Sequence, residues 1–224
     1  MKISPVYVHT QAMPIAIEQS EVLRYMGCTS DVSNEIATLA QRAAEQIIST
    51  ARPKACYRIV PVRISDNGEI DFGVFSVASS ALKSHLSGCA CAYIFAATLG
   101  VEVDRMILRT THTEPSLALA LQAAAAAAIE RYCDILCDDI FTEQGQPVGR
   151  RFSAGYGDVS LDHQRALLQA LDTPRKIGLA LTDGCMMTPS KSVTAFVGVG
   201  KRCTFSENKC DACDKLNCEF RRGK

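Results

Sequence analysis

The segment Arg151-Phe152-Ser153-Ala154-Gly155-Tyr156 joins a guanidinium to an alanine–glycine stretch of backbone. A guanidinium grips a carboxylate through two parallel hydrogen bonds, and glycine lets a ligand come close to the main chain. Such a segment suits recognition of a small molecule that carries a carboxylate. Asp162-His163 and Leu181-Thr182-Asp183 follow it. A second constellation is Cys203, Cys210, Cys213 and Cys218, gathered in one short charged stretch. Cys210 and Cys213 have the spacing at which two thiolates chelate one metal, and Cys203 and Cys218 complete a four-thiolate set. An iron–sulfur cluster and zinc both suit that set. Zinc ribbons present two close pairs where this stretch has one, and unliganded reduced thiols are the plain alternative.

These residues need a frame, and the composition supports one. With 224 residues and 47% hydrophobic content the chain can bury a substantial core without disulfides. Lysine plus arginine number 24 and aspartate plus glutamate 24, so no global positive field draws a nucleic acid to the surface. Met1-Lys2-Ile3-Ser4-Pro5 has no apolar signal core behind it, and no apolar run reaches bilayer length, so the expected setting is cytoplasmic and away from the membrane. The odd count of 11 cysteines favours reduced thiols and metal ligation over a disulfide scaffold.

Val32, Ile36, Leu39, Ala43 and Ile47 recur at helical spacing and predict a helix over 31–51, capped by Ser30 or Asp31. Tyr57–Val62 alternates, 66–69 is a turn and 70–72 resumes the apolar pattern, which predicts a hairpin, followed by a short helix over 77–87. The near-continuous apolar run Cys89–Ala97 predicts a central strand buried on both faces, its cysteines inert. Helices are expected over 103–110, from Pro115 to about Phe141, and over 160–171. Ala123–Ala128 lies within the long one, where small side chains permit close packing, and Glu130 follows as a carboxylate on an apolar segment. Strands are expected at 177–181 and 192–199, with Met186 and Met187 filling the core beneath Pro189. His163 reads first as a capping or packing histidine. The fold class is α/β (α+β): a mixed twisted sheet packed with helices, one of them long and alanine-rich, over 1–200, with a Cys-rich tail over 201–224.

Arg151-x-x-x-Gly155-Tyr156, then His163, Leu181-Thr182-Asp183, Met187-x-Pro189 and Ser192-Val193, in that order, resemble the activation domain of cobalamin-dependent methionine synthase. The resemblance covers 89–199, weakens over 31–88 and is absent from 1–20 and from 201 onward. It implies a site for S-adenosylmethionine, with Arg151 on the carboxylate, Glu130 on the ammonium, the backbone of Ala154 and Gly155 facing the ligand, and Tyr156 near the corrin. The family reads Tyr-Pro-Ala-Cys-Pro ahead of its acidic-His pair, whereas this chain runs Tyr156-Gly157-Asp158-Val159-Ser160-Leu161-Asp162-His163, one residue longer. The family's N-terminal acidic ligand has Glu18 and Glu21 as candidates.

The role so implied is reactivation: support of reductive methylation of cob(II)alamin, in methionine biosynthesis. The family's homocysteine, folate and cobalamin modules have no counterpart here, so the chain is expected to act in trans on a core methionine synthase or another corrinoid protein. A low-potential electron donor completes the scheme. The chain is then one component of a methyltransferase activity and turns nothing over alone. The alternatives are an iron–sulfur activator of a different corrinoid methyltransferase and a zinc-bearing interaction module.

Overall fold

The computed structural model describes residues 3–12, 14–28, 32–144 and 148–200. The four tail cysteines Cys203, Cys210, Cys213 and Cys218 lie outside the described residues. Five strands, β1 (Tyr7–Thr10), β2 (Lys54–Pro61), β6 (Cys91–Thr98), β7 (Val148–Phe152) and β10 (Ser192–Val199), form one sheet in the order β1-β2-β6-β10-β7. The expected class holds, and β6 is the central strand that its apolar run predicts. The pairings are antiparallel at every ladder, where a mixed sheet was expected.

Alternation along these strands divides the core in two. Tyr93, Phe95 and Ala97 of β6 face one side with Ala195, Val197 and Val199 of β10. Ala92, Ile94 and Ala96 face the other with Phe196. Side chains two apart share a face of a strand, so a strand buried on both sides reads as unbroken apolar sequence. The first face is covered by helices α1 (Gln19–Tyr25), α2 (Asn34–Thr50), α4 (Val101–Thr113) and α5 (Pro115–Gln144). The second is covered by α3 (Ser80–His85), α6 (His163–Leu171), α7 (Thr173–Ile177) and a small sheet of β3 (Arg63–Ile64), β4 (Glu69–Asp71) and β5 (Ser76–Ala78).

Local chemistry sets the helix ends. Ser33 caps α2, its hydroxyl accepting from the Ile36 N–H at 3.4 Å, and Ala40, Ala43, Ala44 and Ile47 form the buried stripe. Pro115 opens α5, where a missing N–H is no loss. Ala124, Ala125 and Ala128 are buried against the sheet and the neighbouring helices, so the alanine run is a packing face.

Four local expectations change. The helix expected over 77–87 is shorter, because Val77 lies in β5 and α3 starts at Ser80 behind the Ser79 cap. Tyr57–Val62 does not pair with 70–72: β2 joins the central sheet, and the hairpin is made by β3 and β4. The stretch 177–181 begins as the end of α7, because Pro174 starts a helix there and Gly178 ends it at φ 71°; only Ala180–Leu181 remains as a strand, β8, paired with β9 (Met187–Thr188). Met186 is 64% exposed instead of filling the core, while Met187 packs against the second cluster.

Candidate functional site

The alternation that divides the core also aims the arginine. Arg151 pairs with Val197 and Phe152 with Phe196, so Arg151 shares the face covered by α5 and Phe152 the face covered by α3. Arg151 reaches α5 as an ion pair with two carboxylates, Nη2 at 2.7 Å from Glu130 Oε2 and Nη1 at 2.6 Å from Asp134 Oδ1. Its side chain is 9% exposed, against 36% for Glu130 and 44% for Asp134. Glu130 and Asp134 stand one turn apart on α5, where two like charges repel, and the guanidinium between them offsets that repulsion. Burial opposes the charge on Arg151, but the carboxylates of Asp134 and Glu130 beside it favour the charge, and its pKa lies above the ordinary arginine value. Burial pushes the thiols of Cys133 and Cys137 up, so both stay protonated beside it at neutral pH.

Helix α1 borders this cluster. The Arg24 guanidinium lies 4.3 Å from the centre of the Tyr25 ring and pairs with Glu21 at 2.6 Å. Burial raises the Tyr25 pKa, and the negative charges of Glu130 and Glu21 add to the rise against the pull of Arg24. Of the two candidates for an N-terminal acid, Glu21 is thus the one turned toward this cluster's neighbours, while Glu18 is exposed at the start of α1.

Beyond Phe152 the chain folds into a tight loop. Gly155 N–H donates to the Val159 carbonyl at 2.9 Å, Tyr156 N–H to Ser153 at 3.3 Å and Val159 N–H to Tyr156 at 3.1 Å. Gly155 and Gly157 hold positive φ of 88° and 57°, a region open to glycine at little strain. Ala154 and Val159 are buried in the second core, and Tyr156 is left 69% exposed. The Gly155 N–H is committed inside the loop, and a Cβ at this glycine would stand 3.2 Å from a Leu161 methyl, so Leu161 covers its side-chain side.

Residues past the loop are structural. His163 begins α6, its N–H donating to the Ser160 carbonyl at 3.2 Å. Arg165 ties the following loop down through the Thr182 carbonyl at 3.4 Å and the Asp183 carbonyl. Among the described residues no group of three or more His, Cys, Asp or Glu is arranged to hold a metal ion, and no helix is long and apolar enough to cross a membrane.

The structure therefore brings Arg151 and Glu130 together and places Ala154, Gly155 and Tyr156 on a separate loop at the end of the same strand. Two residues escaped the sequence reading. Asp134 carried a signal, being four residues beyond Glu130 and so on the same helical face. Asp158 had none, since its partners lie 77–79 residues away.

No protein-family model matches the chain, and no curated protein matches it in sequence. Among solved structures it is similar to one titled as the MetH reactivation domain bound to AdoHcy, at a TM-score of 0.60 and 13% identity, over 90% of this chain and 80% of that one. At that identity the likeness establishes the fold: a five-stranded antiparallel sheet between two helical layers, shared with a methionine synthase reactivation domain.

Proposed function

We propose that the chain binds S-adenosylmethionine and supports reductive methylation of cob(II)alamin on a separate cobalamin-dependent methionine synthase. The observation that carries this reading is the meeting of Arg151 and Glu130 at 2.7 Å across 21 residues, on a fold similar to the MetH reactivation domain. The charges fit the ligand. S-adenosylmethionine has a carboxylate, an ammonium and a sulfonium, a net positive charge, and Arg151 with Glu130 and Asp134 is net negative. Arg151 holds the ligand carboxylate in place of one protein carboxylate, and the carboxylate released accepts from the ammonium. The backbone of Ala154 and Gly155 faces the ligand in this reading.

The partner's corrin accepts the methyl group, and a low-potential donor supplies the electron. Tyr156, exposed at the loop tip, faces the corrin in this reading. Calorimetric titration with S-adenosylmethionine and with AdoHcy tests the site. The role is tested by the corrinoid absorption spectrum of an inactivated core methionine synthase, with each component omitted in turn. Methylation should return only when this protein, S-adenosylmethionine and reductant are all present; return without this protein refutes the role.

A further inference from the structure

Besides the buried side chains of Ala154 and Val159, one carboxylate ties the loop that carries Tyr156 to the rest of the protein. Asp158 Oδ2 accepts from the Ser80 N–H and the Ser80 hydroxyl, each at 2.7 Å. Its Oδ1 accepts from the Ala81 N–H at 3.1 Å and from the Ser79 hydroxyl. Ser79 already caps α3, taking the Leu82 N–H at 2.9 Å. The helix thus has a cap of its own, and Asp158 adds a second one from a distant part of the chain. The hydroxyls and main-chain N–H groups hold its carboxyl far below the usual carboxylate range, so it stays ionised at any working pH.

Close packing completes the joint. A Cβ on Gly157 would stand 2.7 Å from Ala81 Cβ, so the loop backbone lies directly on the first turn of α3. The far end of α3 grips β7: His85 Nε2–H donates to the Arg150 carbonyl at 2.8 Å and its ring meets Phe152 at 5.2 Å. Leu82 and Leu86 bury this segment in the second core. α3 is therefore one rigid bridge, holding the strand that bears Arg151 at one end and the loop that bears Tyr156 at the other. Nothing in α3's own stability calls for a large aromatic ring left 69% exposed on the pinned loop.

We infer that Asp158 is a positioning residue: by clamping the 153–159 loop to α3 it fixes the direction in which Tyr156 leaves the surface relative to Arg151. The inference rests on the reading of Tyr156 as the residue that meets the partner's corrin. It assigns orientation to Asp158 and ligand affinity to Arg151, which act on different quantities.

The chain has 0 tryptophans, so Tyr156→Trp introduces a single indole at the loop tip, excited at wavelengths where tyrosine does not absorb. With Asp158 intact, the introduced indole should reorient with the whole protein. Asp158→Ala in that background should roughly double the amplitude of nanosecond depolarisation while circular dichroism stays that of the folded protein. Asp158→Asn, which keeps the shape and one acceptor, should give an intermediate amplitude, and it serves as the probe if the alanine variant does not fold. Unchanged anisotropy decay in the folded variant overturns the clamp. In the natural Tyr156 background, Asp158→Ala should slow corrinoid remethylation by roughly tenfold while S-adenosylmethionine affinity falls less. An equal fall in rate and affinity, or no fall in rate, overturns the positioning role. If the unaltered protein supports no remethylation, the proposed function fails, and the anisotropy measurement still decides whether Asp158 holds the loop.

Discussion

Arg151 and Asp158 close the two ends of one short stretch of chain, and they are held in different ways. Arg151 is a buried cation whose two partners are side-chain carboxylates, each more than a third exposed. Asp158 is an exposed carboxylate, and two of its four partners are main-chain N–H groups. In the proposed function a ligand carboxylate replaces Glu130 or Asp134 on the guanidinium, because either displaced side chain can turn to water or to the ligand's ammonium. At the Asp158 end the partners are hydroxyls and main-chain N–H groups of one helix start, backed by the packing of Gly157 on Ala81, so that end is built as part of the fold. The difference separates an exchangeable end, suited to recognition, from a permanent one, suited to aim.

The sharpest break of that comparison is Arg151→Ala. It removes the cation that pairs with both Glu130 and Asp134, and S-adenosylmethionine affinity should fall more than tenfold, consistent with about 2–5 kcal/mol for losing one partner of a buried charged contact. Calorimetric titration reads it, with circular dichroism as the check on folding. Undiminished affinity would move the site away from α5. At the permanent end, Gly157→Ala should destabilise the protein by roughly 1–3 kcal/mol, through a Cβ 2.7 Å from Ala81 and a φ of 57° that favours glycine. Urea unfolding measures this, and a stability equal to that of the unaltered protein would show that loop and helix part easily.

Much of this arrangement was legible in the sequence, and for physical reasons. β6 announced itself because a strand with cores on both sides has no polar face to interrupt it. The alanine run of α5 was readable as a packing face, and Glu130 stood out against it. β1 and α1 were not legible: four and seven residues are too few to show a period, and both depend on packing against distant elements. β7 was hidden because Val148-Gly149-Arg150-Arg151-Phe152 has little strand character of its own; its pairing with β10 makes it a strand. Asp158 illustrates the limit. Its role depends on Ser79, Ser80 and Ala81, which only the folded chain brings near.

A gentler change sharpens the account of the exchangeable end. Asp134→Asn leaves Arg151 one charged partner and removes a competitor for the ligand carboxylate. Since Asp134 is 44% exposed, its charge is strongly screened and contributes about 0.2–1 kcal/mol. AdoHcy, which lacks the sulfonium, should bind a few-fold tighter to the variant. S-adenosylmethionine should gain less, because its positive charge loses part of the negative field that attracts it. The ratio of the AdoHcy dissociation constant to that of S-adenosylmethionine therefore falls, and a ratio unchanged by the substitution would mean that Asp134 takes no part in selecting charge.

The smallest effect concerns the other end of α3, where His85 links it to β7. Burial lowers the His85 pKa, and the nearby Arg150 charge lowers it too, against the hydrogen bond to the Arg150 carbonyl that raises it. With the folded value below the ordinary 6.5, the unfolded chain takes up a proton over that window that the folded protein refuses. The His85 contribution is therefore complete above pH 6.5 and is lost as pH falls through the window beneath it. Asp158 has the same sign, its stabilisation present at higher pH and lost on acidification, but its window lies below the carboxylate range and is not crossed at pH 5. Between pH 7 and 5 the melting temperature of the natural protein should drop relative to that of His85→Gln by about 1–2 °C, a small shift for a chain of this size. Parallel melting curves for the two proteins would mean that the α3–β7 joint does not respond to protons, leaving acid sensitivity to the carboxylates alone.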